Sequence, residues 1–304
     1  MRIIEEEQLD FDDVSIQPKR SSLNSRSEVD LWRTFKWTAP SGNAHALKCK
    51  CLCVANMATV GTPRMAKAII PNGYLCTLEK HIAYDDIVKL YDELTEMEKN
   101  DEVEPKTYTD KLAISIGLRE SLDDISKFKE FDRLNIINID APNGYCPKMS
   151  ERVEAVRNMF PEAAIIAGVV VTGDIVTDLI MRGANFVRCG ICAGSACRTA
   201  TKTGVRRPLV SMLMDCVDAA HNIKGYIMLD GGIRCPADWA KATIAGADIC
   251  MSGSIFAGTD EADGETITKT YKTNEYVKND ANEYVPVYKE KKFKKYFGMS
   301  TNYA

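Results

Sequence analysis

The stretch Asn185-Phe-Val-Arg-Cys-Gly-Ile-Cys-Ala-Gly-Ser-Ala-Cys-Arg-Thr199 joins an apolar run to a segment of small residues. Residues 185–189 predict a buried strand, whereas the segment after them is too rich in small residues to pack as a helix. Gly190 and Gly194 allow the backbone to turn sharply and to come close to a ligand. The stretch therefore predicts a buried strand that ends in a glycine-containing loop.

The side chains of this loop indicate a candidate binding and catalytic role in addition to a turn. Ser195 contributes a hydroxyl beside backbone N–H groups, which is the equipment of a phosphate-binding loop. Cys197 follows it, with the hydroxyl of Thr199 two residues further on, and a thiol beside a bound nucleotide is a candidate nucleophile. The alternative is an ordinary strand-to-helix turn that carries a buried cysteine, since most cysteines are packing residues.

Apolar strand candidates alternate with helical patterns on both sides of this loop. Several helical patterns have proline in the first turn, as helix starts do. This alternation indicates a parallel sheet, and eight strands predict a closed (β/α)8 TIM barrel of α/β class. No Gly-x-Gly-x-x-Gly motif opens a helix after the first strand, which argues against a Rossmann-type sheet. The predicted strands are residues 51–57, 73–78, 111–117, 135–140, 163–169, 186–190, 225–230 and 248–253, and the predicted helices are residues 63–70, 84–99, 122–129, 147–159, 173–182, 208–222 and 236–245.

Two segments lie outside this alternation, within what we expect to be a single domain of residues 1–304. In the N-terminal extension, residues 31–50 predict a strand pair around Trp32 and Trp37, with a turn at residues 40–43. Residues 259–295 predict a C-terminal flap, acidic at first and then charged with the alternation of an exposed hairpin. The flap is either a substrate lid or a solvated, partly disordered loop.

Polar and glycine-containing residues follow seven of the eight predicted strands. In a parallel barrel the loops after the strands form the C-terminal face, where the active site lies. We therefore expect these residues to gather at one mouth of the barrel. They are residues 55–57, Lys80, His81, residues 140–144, residues 167–168, the loop from Gly190, residues 230–233, Gly253 and Ser254.

Composition narrows the class of protein. A formal charge of −4 and a pI near 5.6 give no electrostatic reason to expect nucleic-acid binding. The sequence has no apolar run of about 18 residues and no signal-peptide pattern, so we expect no membrane span and no secretion. The 11 cysteines favour a reduced, cytoplasmic protein. Cys49, Cys51 and Cys53 alternate along one predicted strand, and we expect core packing there rather than a zinc site.

A series of motifs resembles the inosine-monophosphate dehydrogenase and guanosine-monophosphate reductase family. The catalytic loop of that family carries Gly-Ser-x-Cys-x-Thr, which Ser195, Cys197 and Thr199 match position for position. The chain resembles the reductase branch of the family more than the dehydrogenase branch. The dehydrogenases usually carry an inserted domain of about a hundred residues, far beyond ordinary loop lengths, and no such insertion separates the motifs of this sequence. The matching motifs are residues 143–145, 167–172, 190–205, 230–232, 246–248 and 298–300.

The resemblance implies NADPH-dependent reductive deamination of GMP to IMP and ammonia. Cys197 would attack C2 of the purine to form a covalent thioimidate, and Thr199 would help to protonate the leaving ammonia. The implied binding residues for the purine 5′-monophosphate are Ser195, Asp230, Gly231, Gly232, Gly253, Ser254, Gly298, Met299 and Ser300. The implied cofactor contacts are Ser25, Arg26, Lys80, Asp140 and Ala141, and the implied ligands of a monovalent cation such as K⁺ are backbone oxygens of Gly190, Cys192 and Cys197.

The chain also departs from the pattern of the family. Arg198 adds a cation beside the nucleophile, and Arg206 and Arg207 replace a glycine and a bulky polar residue. Relatives continue past residues 298–300 with a second flap, a catalytic glutamate and the helix that closes the barrel. We therefore expect the final barrel helix to be missing, and a homo-oligomer (a tetramer in relatives) or a partner chain to complete the site. Two alternatives stay open: a non-catalytic purine-nucleotide-binding subunit, or a reductase or dehydrogenase for a deoxy or modified purine monophosphate.

Overall fold

Eight parallel strands close into a barrel in the computed structural model, which describes residues 3–130, 134–191 and 202–297. Going round the barrel, neighbouring strands follow one another in chain order, and the last strand pairs with the first. This confirms the predicted TIM barrel, and each observed strand lies within a residue or a few residues of its predicted position. The strands are β3 (Leu52–Val54), β4 (Leu75–Thr77), β5 (Leu112–Ile116), β6 (Ile136–Asp140), β7 (Ala164–Val170), β8 (Phe186–Cys189), β9 (Tyr226–Asp230) and β10 (Ile249–Ser252).

Helices connect the strands where the helical patterns predict them. Thr62 caps the first helix by accepting a hydrogen bond from the Met65 N–H, and Pro63 fills its first position. The helices are α1 (Pro63–Ile69), α2 (Tyr84–Asn100), α3 (Leu122–Ser126), α4 (Pro147–Met159), α5 (Gly173–Met181), α6 (Leu209–His221), α7 (Pro236–Ile244) and the short α8 (Ser254–Ala257). None of the helices in the described ranges combines the length and the apolar character that a membrane span needs.

The core has two layers because successive side chains of a strand point to opposite sides. In β7, Ala164 and Ile166 lie in the cluster inside the barrel, while Ile165 and Ala167 lie in the cluster between strands and helices. The inner cluster is thus formed by alternate residues of the strands, and the outer cluster packs against the apolar faces of the helices. This is the arrangement of a filled barrel rather than a pore.

An antiparallel hairpin, β1 (Trp32–Thr38) with β2 (Ala44–Lys50), closes the end of the barrel where the strands begin. Its Phe35 ring packs at 5.5 Å from the Phe186 ring and 5.1 Å from the Tyr226 ring, both at strand starts. The buried Asp248 carboxylate accepts a hydrogen bond at 3.1 Å from Arg33 of the hairpin. The predicted strand pair is confirmed, and it lies at the end of the barrel opposite the C-terminal mouth.

The prediction that three cysteines share one strand is wrong. Cys49 belongs to β2, Cys51 lies at the bend after it, and Cys53 belongs to β3. A change of direction between two elements produces the same apolar alternation as one continuous strand, so the sequence pattern could not separate them. All three thiols are nevertheless buried in the inner cluster, as core packing requires.

The second hairpin consists of β11 (Thr266–Lys278) and β12 (Tyr284–Lys294). Most of its side chains are exposed, including the rings of Tyr276, Tyr284 and Tyr288. The predicted exposed hairpin is confirmed within residues 259–295. The end of the hairpin next to the barrel lies near the mouth, since Lys294 Nζ donates to the carbonyl oxygen of Asp260, three residues after α8.

Candidate active site

Charged side chains from several strands meet at the C-terminal mouth of the barrel. Asp140 ends β6 and Asp230 ends β9, and the guanidinium of Arg188 on β8 lies between them. Arg188 Nη1 donates to Asp140 Oδ1 at 3.0 Å, while its Nη2 and Nε donate to Asp230 Oδ2 at 2.5 and 3.2 Å. Lys80, after β4, adds a second cation 3.7 Å from Asp140 Oδ2. Parallel strands bring these groups together because all of them lie at strand ends.

Asp140 and Arg188 keep their charges despite their burial. Burial opposes ionisation of Asp140, but the cations of Arg188 and Lys80 outweigh it and hold the pKa of Asp140 below its ordinary value. Burial likewise opposes the charge of Arg188, and the two carboxylates outweigh it and raise its pKa. Asn56 also lowers the pKa of Asp140, although its buried amide nitrogen makes no hydrogen bond of normal geometry to a described residue.

A chain of hydrogen bonds continues from Arg188 into the barrel. Its Nη1 also donates to Asn138 Oδ1 at 3.0 Å, and Asn138 Nδ2 donates to Ser115 Oγ at 2.9 Å. Ser115 in turn donates to the carbonyl oxygen of Leu78 at 2.6 Å. Buried polar networks of this kind fix side-chain positions when every member has a partner. The guanidinium is therefore held by Asn138 inside the barrel as well as by Asp140 and Asp230 at the mouth.

Two glycines make a backbone concavity beside Asp230. Gly231 and Gly232 have φ values of +85° and +78°, in the left-handed region that favours glycine. Gly253 lies at the end of the neighbouring strand, where a Cβ would collide with the sulfur of Met57. Within the described ranges, no hydrogen bond occupies the N–H of Gly232 or of Gly253. Unpartnered backbone N–H groups on neighbouring loops can form a cradle for an anion such as a phosphate.

Serine hydroxyls brace this cradle. Ser252 and Ser254 both donate to the carbonyl oxygen of Ile233 at 3.1 Å, which ties the end of β10 to the loop after β9. Gly231 strengthens the same junction by donating its N–H to the carbonyl oxygen of Met251 at 2.9 Å. The cradle is therefore set by hydrogen bonds within the protein before any ligand arrives.

Arginines anchor the chain that follows the loop after β8. Arg206 pairs with Asp10 at 2.5 Å, and Arg207 pairs with Asp215 at 2.6 Å. Arg207 also donates to the carbonyl oxygen of Val171 at 3.0 Å. These two departures from the family pattern thus tie the returning chain to the N-terminal extension and to helix α6.

The structure places part of the predicted site and leaves the rest as prediction. It brings together Lys80, Asp140, Asp230, Gly231, Gly232, Gly253 and Ser254 at one mouth.

Ala141 is buried, and its N–H and carbonyl oxygen are both hydrogen-bonded to β7. Ser25 caps an exposed 3-10 turn, Arg26–Glu28, and the hydrogen bonds of this turn in the described ranges are local. Gly190 has φ +135°. Cys192, Ser195, Cys197, Thr199, Gly298, Met299 and Ser300 lie outside the described residues.

Sequence reasoning missed the arginine at the centre of the site. Residues 185–189 predict an apolar strand, yet the side chain of Arg188 within it is 4% exposed and contacts Asp140, Asp230 and Asn138. A signal was present: a charged residue in the middle of a buried parallel strand must be paired, because an isolated buried charge is too costly. Asn138, a neutral polar residue in another buried strand, gives a weaker signal of the same kind, because a buried amide also needs hydrogen-bond partners.

A closed parallel barrel with a charged cluster and an N–H cradle at its C-terminal mouth has the architecture of a (β/α)8-barrel enzyme. Sequence comparison then gives the family. Residues 8–303 match the IMP dehydrogenase / GMP reductase domain, and the chain belongs to this family. It is similar to GMP reductase 1 of Mus musculus, with 40% identity over 88% of this chain and 74% of the relative. It is also similar to a GMP reductase of Vibrio cholerae, with 38% identity over 100% of this chain and 79% of the relative.

Human GMP reductase 1 is a further relative, with 39% identity over 88% of this chain and 74% of the relative. The matches thus include oxidoreductases from bacteria and from mammals, and they extend over most of the barrel. Family membership agrees with the motifs from which the resemblance was inferred.

Proposed function

We propose that this protein is a GMP reductase, which converts GMP to IMP and ammonia with NADPH as the reductant. The observation that carries the proposal is the combination of Asp230 with the glycine cradle. A carboxylate that is 20% exposed lies beside N–H groups without partners in the described ranges. The carboxylate is complementary to the ribose hydroxyls of a nucleoside 5′-monophosphate, and the N–H groups are complementary to its phosphate. Relatives at 37–40% identity are named GMP reductases, which supports guanine as the base.

The binding steps follow from these groups. The N–H groups of Gly232 and Gly253 donate to the 5′-phosphate, with the hydroxyl of Ser254 beside them. Asp230 accepts a hydrogen bond from the ribose. In this proposal Ser195, Gly298, Met299 and Ser300, which lie outside the described residues, complete the contacts to phosphate and base.

The residues at the opposite side of the mouth fit a nicotinamide cofactor. Lys80 offers a cation next to Asp140, and the side chain of the buried Asn56 lies against the same carboxylate. Asp140 would lie at the same place, held ionised by Arg188 and Lys80. Bound NADPH would supply the hydride for C2 of the purine.

Within the proposal, Cys197 and Thr199 carry out the covalent step. The thiolate of Cys197 adds to C2, the bond from C2 to the exocyclic nitrogen breaks, and that nitrogen leaves as ammonia with a proton delivered through Thr199. Reduction at C2 and cleavage of the carbon–sulfur bond then return the thiolate and release IMP. A covalent adduct divides the displacement of a poor leaving group into two easier steps.

The proposal includes a cation, an assembly and a compartment. Backbone oxygens of Gly190, Cys192 and Cys197 would bind a monovalent cation, and replacing K⁺ by Li⁺ should lower the rate. We also propose a cytoplasmic homo-oligomer, which light scattering of the purified protein can measure. Of these residues, only Gly190 lies in the described ranges, and its φ of +135° lies in the region that favours glycine.

The test is to mix the purified protein with GMP and NADPH and to follow the loss of reduced cofactor together with the release of ammonia. We expect equal amounts of both. Asp230→Ala should weaken GMP binding by about 10-fold or more, since it removes a charged hydrogen-bond acceptor. Asp218→Ala, at an exposed carboxylate on helix α6, is the control and should leave GMP binding unchanged. Binding of GMP without turnover would instead support the non-catalytic subunit.

A further inference from the structure

A pocket of about 460 Å³ lies at the end of the barrel where the strands begin, opposite the mouth. Its walls come from the β1–β2 hairpin, the loop between α2 and β5, and the segments that lead into β6 and β7. This volume lies within the range of pockets that bind small molecules. None of its described lining residues belongs to the proposed nucleotide or cofactor contacts, so it is a separate place on the molecule.

Aromatic rings form part of the pocket wall. Trp37 and His45 are cross-strand partners in the hairpin, and their rings stack with centroids 5.4 Å apart and planes at 16°. Phe128 and Phe160 line the same pocket from the segments before β6 and β7. Aromatic side chains bind other flat rings by stacking or edge-to-face contact. The lining therefore favours a planar, aromatic ligand.

A buried cation lies behind this wall. Arg157 is 8% exposed, and its Nη1 donates to the carbonyl oxygens of Pro161 and Ala163, both at 2.8 Å and both in residues that line the pocket. In the described ranges, all its hydrogen bonds go to neutral acceptors, which are backbone carbonyl oxygens and one amide oxygen. Burial lowers the pKa of Arg157 to about 10, and the half-exposed Glu162 offsets this only in part. A buried charge contacted only by neutral groups favours an anion nearby.

The balance of the other charges around the pocket has the same sign. Lys106 and Lys129 line it with exposed side chains, and Lys129 forms no ion pair with a described residue. Together with Arg157, they oppose two carboxylates, Asp110 and Glu162, of which Glu162 is already bonded to a histidine. The surplus of positive charge attracts an anionic group.

We propose that this pocket binds a small planar aromatic anion, such as an aromatic carboxylate or sulfonate. The ring of the ligand packs against Trp37 and Phe160, and its anionic group faces Lys106 and Lys129 in the field of Arg157. The ligand contacts both the N-terminal hairpin and the barrel, so its binding stabilises the folded protein. The proposal does not depend on the proposed function, because the pocket and the mouth share no described residue.

The first experiment compares two probes on the unmodified protein by titration calorimetry: naphthalene-2-sulfonate and the neutral naphthalene-2-sulfonamide. The two have the same ring system and differ in charge. We expect the sulfonate to bind about 10-fold or more tightly than the sulfonamide, because only the sulfonate gains from the cations. Equal affinities, or no binding of the sulfonate, would overturn the inference.

The same titration with GMP present locates the site. Saturating GMP should change the affinity of the sulfonate by less than about twofold, because the two ligands occupy opposite ends of the barrel. Competition between them would show that the probe binds at the mouth, and it would overturn the inference while supporting a nucleotide site there. Failure of GMP to bind would count against the proposed function alone.

The second experiment changes single charges in the pocket in opposite directions. Lys129→Glu should weaken binding of the sulfonate by about 10-fold, whereas Asp110→Asn removes an opposing carboxylate and should tighten it by about threefold. Lys89→Glu, at an exposed lysine of helix α2 outside the pocket, is the matched control and should change the affinity by less than about twofold. Equal effects of Lys129→Glu and Lys89→Glu would indicate non-specific attraction of the anion to the surface and would contradict the inference.

Discussion

Replacing Asp110 by asparagine should stabilise the protein at neutral pH and not in acid. Burial raises the pKa of Asp110 from 3.8 to about 6, and the nearby Lys106 and Lys111 offset only part of this. The folded state therefore binds a proton more tightly than the unfolded chain, and stability falls as the pH rises through the interval between these two values. Asparagine is never ionised, and its side-chain oxygen can still accept the hydrogen bond that Asn135 donates to Asp110.

The magnitude follows from the two pKa values. Between about pH 4.5 and about pH 7.5, the free energy of unfolding of Asp110→Asn relative to the unmodified protein should rise by about 2 kcal/mol. Urea unfolding followed by circular dichroism at both pH values measures this difference. Asp280→Asn, at an exposed carboxyl in the loop between β11 and β12, is the control and should show a much smaller change. A stability difference for Asp110→Asn that does not depend on pH would refute the reasoning.

Two further predictions concern stability. Gly61→Ala should lower the free energy of unfolding by about 2 kcal/mol or more, because a Cβ there would lie 2.8 Å from one carbonyl oxygen and closer still to a second. Gly258→Ala is the control: no atom lies near the added carbon, so the variant should be nearly neutral in the same urea assay. Asp248→Ala should lower the free energy of unfolding by about 3 kcal/mol, because it leaves the buried N–H of Ile227 without its acceptor. His221→Ala removes a half-exposed partner of the same carboxylate, so it should lower the free energy of unfolding by less than about 1 kcal/mol. A larger loss for His221→Ala than for Asp248→Ala in thermal melts would contradict this.

The sequence predicted the barrel well because its signals are local. Apolar runs of strand length between amphipathic helices recur eight times, and proline or a capping residue marks several helix starts, as at Thr62 and Pro63. Parallel strands joined by helices leave few topologies to choose from, so the closed barrel followed from the element order. The same reasoning placed Asp140 and Asp230 at strand ends, and hence at one mouth.

Elements that depend on a change of chain direction were less predictable. The alternation of Cys49, Cys51 and Cys53 indicated one strand, whereas the chain turns from β2 into β3 within it. An apolar period of two continues through such a turn because both strands face the same inner cluster. The pattern reports which side chains are buried, but it does not report which element carries them.

The sequence by itself thus determined the order of the strands and the end of the barrel at which the carboxylates of Asp140 and Asp230 lie. Only the tertiary structure decided how those carboxylates are used. Arg188 meets Asp230, Asp140 and Asn138 at separations of 42, 48 and 50 residues along the chain. No local pattern encodes such a contact, because it depends on which side chains the closed barrel points at one another, and on the cost of leaving a buried guanidinium without partners.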